Sequence, residues 1–554
     1  MDARRTILML VFVGSIFLLW EAWMRQATPL SAPATPGSVE TTASNTASTG
    51  ALPTPMKPAV EAVPAAVSSS DGVALSSMSS PSQVFTLKNR DLELQVDSQG
   101  ARFVGATLKD QASDQYPGGF VRLFDQADQR FYEAQTGLVG AGPNGKSLPN
   151  HTLSFQPMPL RSEDAPERTL LLSAEAGGLK LIKRISLAES GHQVRIQHTV
   201  LNTGADTVTP TIYLQFLRNG DPAPGESSFY QTFTGPAIYT EQGKFEKVDF
   251  SDIEKGRRDY VQKANDGWVS IVQHYFVSAW VVQNQAAREF YTRKVGENRY
   301  AAGVLQAFPA VAPGAQQTHE TILYVGPQVQ RVLETLAPGL DLVVDYSWLT
   351  FIAKPIYWLL ELLYQWVPNW GWAIVLLTII IKALFYPLSA ASYKSMAKMK
   401  AVAPRMTALR ERYGEDKAKF NQAMMELYKT EKINPLGGCL PIFIQIPVFL
   451  ALYWVLLASV EMRNAPWILW ITDLAAPDPY YILPIVMAAT MFLQTKLNPP
   501  PPDPLQAKIM LFLPLVFSVF FFFFPAGLVL YWLVNNVVSI AQQWFIMKRM
   551  NVPV

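Results

Sequence analysis

The sequence is poor in cysteine and in charge. Cys439 is the single cysteine among 554 residues, so an intramolecular disulfide is excluded as a source of stability. Only 16% of the residues are charged and 49% are hydrophobic, a balance that is too apolar for an ordinary soluble protein. We therefore expect a membrane protein, in which the positions of Lys and Arg along the chain matter more than the net charge of +2.

The spacings that mark common metal sites are also missing. All five histidines fall between residues 151 and 319, and none forms an HxH or HExxH pair. His198 lies on the apolar side of an alternating segment, where a histidine satisfied within the core is a better interpretation than a catalytic base. We expect no cofactor, no metal and no bond-making catalysis.

The N-terminus resembles a signal sequence. Arg4 and Arg5 precede an apolar run from Ile7 to Trp20, and the candidate cleavage site near SAPATP contains proline. We therefore expect an uncleaved signal anchor over residues 1–26, with a cleaved signal peptide as the alternative. Residues 27–82, rich in Pro, Ala, Ser and Thr, cannot bury a core and are expected to form a disordered tether.

Residues 83–341 alternate between apolar and polar positions. In DLELQVD, for example, Leu92, Leu94 and Val96 share one side, and turn signals such as DSQG and LNTGAD separate such runs. This pattern predicts one large antiparallel β-sandwich. The apolar run 267–282 has polar residues at its centre and is interpreted as core strands, because a membrane span there would invert every later loop.

After residue 341 the sequence becomes helical and apolar. Residues 342–370 are crowded with Trp and Tyr and are expected to form an interfacial amphipathic helix, with Lys354 and Glu361 on one side. Five later segments are apolar enough to enter the bilayer, and together with the N-terminal anchor they give about six spans. These segments are residues 371–388, 439–460, 480–495, 509–524 and 528–547.

Cations mark alternate loops between these segments. Residues 389–438 contain ten Lys and Arg residues, whereas residues 461–479 contain only Arg463, and Lys548 and Arg549 follow the last segment. The charge rule then places both termini, including a short tail at 548–554, and the 389–438 loop in the cytoplasm. The β-sandwich and the 461–479 loop are predicted to lie on the opposite, periplasmic side.

The 389–438 loop has a helical pattern of its own. It is predicted to form a cytoplasmic helical hairpin broken at Gly414, with a solvated linker as the alternative. Several of its apolar positions hold methionine, whose flexible side chain suits a surface that contacts varied partners. These residues are Met396, Met399, Met406, Met424 and Met425.

Lys382 stands inside the apolar segment LLTIIIKALFYPL. A charge there costs about 2.5–3.5 kcal/mol, so it needs an anionic partner, a route to water or a function. No Asp or Glu occurs within residues 440–459, 480–494, 509–524 or 528–547, which disfavours an ion pair inside the bundle. Snorkelling to the inner headgroups would relieve the charge only in part. A hydrophilic groove open to the cytoplasm is the favoured explanation, because Thr378, Gln445, Asn535 and Asn536 lie at compatible depths.

Such a groove has a cation but no carboxylate. Coupling to protons or sodium is therefore disfavoured, and the helical hairpin contains no GxxxxGK[ST] loop that would bind ATP. An unpaired cation in a wet slot favours transient binding of an acidic or polar segment. The short spans would thin the bilayer and lower the barrier to moving polar groups across it.

Three stretches of the sequence carry a resemblance to a known family. INPLGGCLPIFIQIPVFLALYW, DPYYILPI and FPAGLVLYW, together with the β-domain between the first two spans and the lysine-rich hairpin, closely resemble the YidC/Oxa/Alb family of membrane protein insertases. The resemblance implies a five-helix core with a hydrophilic groove in the bacterial inner membrane and a periplasmic β-supersandwich. It also implies insertion and folding of nascent membrane proteins in the phospholipid bilayer, alone or with the Sec translocon, with ribosomes delivering substrate.

The resemblance also assigns residues. Lys382 occupies the position of the family's groove cation, which is usually arginine in Gram-negative members, and Thr378 and Gln445 match polar groove positions. Tyr531 and Trp532 match an aromatic pair that contacts substrate in relatives, although ordinary packing is an alternative. Ribosome contact is expected on the hairpin and the short loops. The alternative functions are a small-solute transporter or channel and a membrane-tethered protein that binds or processes carbohydrate.

Overall fold

The alternating segments between residues 84 and 327 fold into β-strands. The computed structural model describes residues 82–113, 119–140, 146–223, 232–413, 416–431, 440–497 and 504–550. The predicted anchor at residues 1–26 and the tether up to residue 81 lie outside the described residues. The first nine strands are β1 (Val84–Lys88), β2 (Leu92–Asp97), β3 (Arg102–Ala112), β4 (Phe120–Phe124), β5 (Tyr132–Val139), β6 (Gln156–Pro157), β7 (Thr169–Ala176), β8 (Leu179–Leu187) and β9 (Gln193–Asn202). The next nine are β10 (Thr211–Asn219), β11 (Gly235–Thr240), β12 (Lys244–Lys247), β13 (Lys263–Ala264), β14 (Trp268–Val272), β15 (Phe276–Val281), β16 (Arg288–Gly296), β17 (Arg299–Ala307) and β18 (Gln316–Pro327).

These strands form two nine-stranded antiparallel sheets. The first has the order β1-β2-β3-β5-β10-β17-β16-β13, with β4 paired to β3, and the second has the order β12-β11-β14-β15-β18-β9-β8-β7-β6. The antiparallel sheets predicted from the alternation are therefore confirmed. The apolar run 267–282 forms the hairpin of β14 and β15, in which Ser270 lies opposite Ala279.

Aromatic side chains join the two sheets. Trp280 of the second sheet is fully buried, with its ring centroid 6.1 Å from that of Phe103 and 5.8 Å from that of Phe216, both in the first sheet. Burial of a large apolar side chain contributes about 1.5–3 kcal/mol, and offset or edge-to-face ring pairs add to it. The core between the sheets therefore supplies stability that the chain cannot obtain from disulfides.

A lysine interrupts this apolar core. Lys183 occupies an inward position of β8, between Leu181 and Ile185, and its side chain is fully buried. The ammonium donates hydrogen bonds to the carbonyl oxygens of Gly100 (2.8 Å) and Thr136 (2.9 Å). Burial without a carboxylate disfavours the charged form and lowers the pKa of Lys183 to about 7.

The described chain after residue 327 is mainly helical, and one short helix lies between β12 and β13. Ten α-helices are described: α1 (Phe250–Glu254), α2 (Gln330–Leu336), α3 (Thr350–Trp366), α4 (Trp370–Leu384), α5 (Tyr386–Tyr413), α6 (Lys417–Thr430), α7 (Leu440–Ala458), α8 (Ile482–Leu497), α9 (Pro504–Phe520) and α10 (Ala526–Arg549). One hydrophobic cluster joins five of them through Leu360, Leu377, Val455, Met487 and Val529, on α3, α4, α7, α8 and α10 respectively. Among the described residues, no helix alone has both the length and the hydrophobicity of a membrane span. The helices α4 and α5 meet that test only as a pair, with a bend of 67° between them.

The helix α3 has two unlike sides. Leu360 and the other buried residues face the bundle, whereas Trp348 just before the helix, Phe351, Trp358 and Trp366 are exposed. The polar positions 354 and 361 pair with residues that precede the helix. Lys354 contacts the carboxylate of Asp341 at 2.5 Å, and Glu361 forms an ion pair with Arg331. These pairs fix α3 to the end of the β-domain.

The turn between β14 and β15 docks onto the helical bundle. His274 donates a hydrogen bond from Nε2 to the carbonyl oxygen of Leu457 (2.9 Å), in the last turn of α7, where carbonyls lack a donor within the helix. The guanidinium of Arg463 lies over the rings of Tyr275 and Phe276 and donates to the carbonyl oxygen of Ala112 (3.1 Å). Burial lowers the pKa of His274 to about 4, so the imidazole is neutral at pH 7. A side chain of the β-domain thus supplies the hydrogen-bond donor that a carbonyl at the end of α7 lacks.

Replacement of His274 by Ala is expected to destabilise the junction. The Leu457 carbonyl loses its donor, and the free energy of unfolding should fall by about 1 kcal/mol. His274→Gln, whose amide reaches a similar position to Nε2, should keep most of the stability. Chemical unfolding of the full chain in detergent measures both variants. Equal stability of His274→Ala and the wild type would show that this hydrogen bond does not matter.

Lys183 predicts a rise of stability with pH. The unfolded chain keeps Lys183 protonated up to its ordinary pKa near 10.5, whereas the folded chain releases the proton above about 7. Between these values the unfolded state binds more protons, so the free energy of unfolding should rise by up to about 1.4 kcal/mol per pH unit. Lys183→Met should remove this slope. Unfolding of both proteins from pH 7 to 10 tests the prediction, and parallel curves would contradict it.

Candidate functional site

The helix α4 places Lys382 toward the interior of the bundle. Asn369 caps its first turn by accepting a hydrogen bond from the backbone N–H of Trp372 (3.1 Å). Ile374, Thr378 and Lys382 follow at intervals of four and are all buried, because residues at this spacing share one side of a helix. The helical spacing that places Ile374 on the buried side of α4 therefore places the Lys382 side chain there as well.

Lys382 also lies at the end of its helix. The helix α4 stops at Leu384 and α5 starts at Tyr386, with 67° between the two. Carbonyl groups in a last helical turn lack intrahelical donors, and a cation placed there interacts favourably with the helix dipole. The Lys382 carbonyl itself accepts a long hydrogen bond from the Gln542 side chain (3.4 Å). The bend thus exposes polar backbone next to the buried ammonium.

Two neutral oxygens surround the Lys382 ammonium. Its Nζ lies 2.8 Å from Oγ of Ser539 and 3.3 Å from Oε1 of Gln445, and the residue is only 6% exposed. No carboxylate of the described residues lies within ion-pair distance of it. The partners come from α10 and α7, so three helices meet at this charge.

Asn535 orients both of these acceptors. Its side-chain Oδ1 accepts a hydrogen bond from Nε2 of Gln445 (2.6 Å), which turns Oε1 of the same amide toward Lys382. Its backbone carbonyl accepts the hydroxyl proton of Ser539 (2.7 Å), one helical turn further on. The four side chains therefore form one connected polar network.

A narrow, partly open cleft adjoins the network. Its enclosed space amounts to about 20 Å³, enough for about one water molecule. Its lining residues are Ile381, Lys382, Phe385, Leu388, Ser389, Gln445, Val448 and Asn535. Three predicted groove residues, Lys382, Gln445 and Asn535, therefore converge on one cleft with apolar walls.

The other predicted groove residues lie elsewhere. Thr378 is buried and donates its hydroxyl proton to the Ile374 carbonyl of its own helix (2.7 Å). Asn536 is also buried, and its amide nitrogen has no hydrogen-bond partner in the described part of the chain. Neither residue lines the cleft.

The aromatic pair packs within the bundle. Tyr531 is buried and its ring stacks on Phe449 at a centroid distance of 6.1 Å. Trp532 meets the edge of Phe449 at 4.3 Å and that of Phe521 at 4.9 Å. These contacts agree with the packing alternative for the pair.

The hairpin helices α5 and α6 contact each other. Arg405 pairs with Glu431 (2.5 Å), and the Tyr428 hydroxyl donates to Sδ of Met406 (3.5 Å). Met406 is 4% exposed, so it does not belong to the exposed methionine surface predicted from the sequence, because α6 covers it. Met425 is exposed, and the remaining three methionines, Met396, Met399 and Met424, are half-buried.

The β-domain contains a wider and more open cleft, whose lining includes Glu241, Lys263, Asp266, Arg288 and Glu289. No group of His, Cys, Asp or Glu among the described residues could hold a metal ion. Residues 140–147, GAGPNGKS, match the spacing of a phosphate-binding loop, a pattern that the sequence reading did not single out. A phosphate-binding loop is followed directly by a helix, whereas residues 146–155 form no helix. The strand before it, β5, also belongs to an antiparallel sheet, so the match in spacing does not indicate a phosphate site. His198 is buried and contacts the Thr136 hydroxyl (3.0 Å), as a core histidine would.

Ser539 and Ser389 are the site residues that the sequence reading missed. Ser539 follows Asn535 by four positions, so helical spacing already places both on one side of α10. Ser389 follows Lys382 by seven positions but lies beyond the bend, and only the structure brings it to the cleft.

The whole chain matches a known family. Residues 84–359 match the YidC periplasmic domain, and residues 362–552 match the family described as 60Kd inner membrane protein. The membrane protein insertase YidC of Bordetella petrii is 49% identical over 99% of this chain and 98% of its own length. That of Janthinobacterium sp. (strain Marseille) is 48% identical over 100% of both chains. A solved structure of an active YidC insertase, with its first transmembrane domain resolved, aligns with 83% of this chain and 91% of its own at 16% identity and a TM-score of 0.39. On the identity of its full-length relatives, the chain belongs to the YidC family of membrane protein insertases.

Proposed function

We propose that the protein inserts nascent membrane proteins by holding a polar or acidic flank of the incoming segment at the Lys382 ammonium. The hydrophobic part of the segment would then pass sideways into the lipid. The observation that carries this proposal is a buried ammonium whose described partners, Ser539 and Gln445, are neutral. Neutral partners leave the net charge of the groove positive, so it attracts an acidic or polar group without the need to break an ion pair first.

The absence of Asp and Glu from the central residues of the apolar segments argues against an ion-coupled transporter. Proton or sodium coupling inside a membrane commonly uses Asp or Glu, and the apolar segments after residue 440 contain neither over their central residues. A carbohydrate-processing role would require acid and base groups that converge in a cleft of the β-domain. Binding and release of a peptide segment, without covalent chemistry, fits the cleft at Lys382 better than ion-coupled transport. The full-length relatives, which are membrane protein insertases, favour it over carbohydrate processing.

The proposed topology follows the placement of Lys and Arg in the sequence. About six spans, counting residues 1–26, would place both termini and the α5–α6 hairpin in the cytoplasm and the β-domain in the periplasm. The helix α3, with its exposed Trp and Phe side chains, would lie in the outer headgroup layer. The helix α8 has only 16 residues, and a helix this short would favour local thinning of the bilayer.

The hairpin is the proposed contact for partners that deliver substrate. Lys394, Lys398 and Arg405 are exposed on α5, and Lys419 and Lys429 on α6. Such a cationic surface would attract the phosphates of a ribosome. Cooperation with the Sec translocon is proposed on the resemblance to the family alone.

Substitution of Lys382 tests the proposed function directly. Purified wild type, Lys382→Ala and Lys382→Arg are placed in liposomes at equal levels, and insertion of a single-span substrate with an acidic flank is measured. Loss of a charge-assisted contact of about 1.5–3 kcal/mol predicts that Lys382→Ala inserts roughly ten- to a hundredfold less. Lys382→Arg should insert nearly as well as the wild type, because it keeps the charge.

A cation outside the groove provides the matched control. Lys496→Ala removes an exposed lysine from the end of α8, where its Nζ lies 4.7 Å from the Phe492 ring, and should leave insertion unchanged. Equal insertion by wild type and Lys382→Ala would remove the cation from the mechanism. Failure of the wild type to insert would contradict an insertase that acts alone.

Removal of residues 83–340 tests whether the β-domain takes part in the transfer step. All cleft residues follow position 380, so insertion should fall by no more than about threefold, as expected when a domain with its own core is deleted. Stability should fall as well, because the contacts of His274 and Arg463 are lost. Loss of insertion by a truncated protein that is still present in the membrane at wild-type level would favour a substrate role for the domain.

A further inference from the structure

Ser539 is the closer of the two acceptors of the Lys382 ammonium. Its Oγ lies 2.8 Å from Nζ, against 3.3 Å for Oε1 of Gln445, and the residue is 3% exposed. It stands on α10, whereas Gln445 stands on α7. The ammonium therefore contacts two helices that belong to different parts of the sequence.

The hydroxyl group of Ser539 can only accept from the lysine. A serine hydroxyl has one proton and two lone pairs, and the Ser539 proton is donated to the Asn535 carbonyl (2.7 Å). The lone pairs remain as acceptors, and one of them accepts the hydrogen bond from Lys382.

The second acceptor is fixed just as firmly. The amide of Gln445 donates to Oδ1 of Asn535, which leaves its Oε1 as the atom that faces Lys382. An ammonium has three N–H groups, and these two oxygens occupy two of them. The third N–H group has no partner among the described residues, and Lys382 lines the cleft.

We propose that Ser539 is a positioning residue of the insertase, which holds the Lys382 ammonium at the cleft with one N–H group directed to the incoming segment. This inference rests on the function proposed for Lys382. A lysine side chain has four methylene groups and turns freely when its ammonium is not held. Without Ser539, the ammonium would swing toward the inner headgroups and spend less time at the cleft.

The test uses two substrates and a pair of variants. Single-span substrates that carry either Asp or Asn in the polar flank are inserted into liposomes by wild type, Ser539→Ala and Ser539→Thr. Ser539→Ala should lower insertion of the Asp substrate about three- to tenfold and that of the Asn substrate much less. Ser539→Thr, which keeps the hydroxyl group, should restore the wild-type preference for Asp.

Further variants separate positioning from a structural effect. Thr495→Ala removes a half-buried hydroxyl group that donates to the carbonyl four residues earlier (2.9 Å). This variant should insert both substrates as well as the wild type does. In a Lys382→Ala background, Ser539→Ala should have no additional effect, because there is no ammonium left to position.

The possible results have distinct meanings. If Ser539→Ala lowers insertion of the Asp and Asn substrates equally, or lowers insertion further in the Lys382→Ala background, the role of Ser539 is packing and the inference is overturned. If Lys382→Ala lowers insertion while Ser539→Ala does not, the positioning role fails and the proposed function stands. If Lys382→Ala itself has no effect, the proposed function fails, and the positioning role fails with it.

Discussion

A positive charge that is taken out of water must be surrounded by polar atoms, and at Lys382 this requirement determines how the helices meet. Transfer of an isolated ammonium to an apolar interior costs several kcal/mol even after the protein relaxes. The compensation comes from the hydroxyl oxygen of Ser539 on α10 and the amide oxygen of Gln445 on α7. Both depend on Asn535, which fixes the amide through its side chain and the hydroxyl through its backbone. The register of α4, α7 and α10 is therefore tied to a single charge.

Neutral compensation has a different consequence from an ion pair. A buried lysine paired with a carboxylate would be electrostatically complete, and an incoming acidic group would have to displace a partner whose loss costs several kcal/mol. Hydroxyl and amide oxygens lower the cost of burying the ammonium but leave its net charge in place. In the proposed function, the ammonium consequently keeps an attraction for anionic or polar groups, because no existing ion pair has to be broken before such a group binds.

Periodicity predicts much of this structure, but the relative rotation of elements is not visible in a sequence. The alternation of residues 83–341 predicted the antiparallel sheets, including the strands at 267–282, because a period of two is read locally. It did not identify Lys183 as a core residue, although Lys183 falls on the apolar side of LKLIKRISL. The position of each residue along its predicted helix placed Lys382, Gln445 and Asn535 at a similar depth in the membrane. Thr378 and Asn536 satisfied the same criterion and yet lie outside the cleft, since depth does not fix which side of a helix faces which neighbour. Met406 shows the same limit, because its burial depends on the packing of α6 against α5.

The helix α7 connects the two halves of the molecule. Near its start, Gln445 faces Lys382, and in its last turn the Leu457 carbonyl accepts the hydrogen bond from His274 of the β-domain. Twelve residues separate these positions, or about 18 Å along a helix. Pro447 lies inside the helix, close to Gln445, and removes one backbone donor there. The β-domain contributes no residue to the cleft lining, so its contact with α7 bears on the stability of the far end of this helix and not on the composition of the cleft.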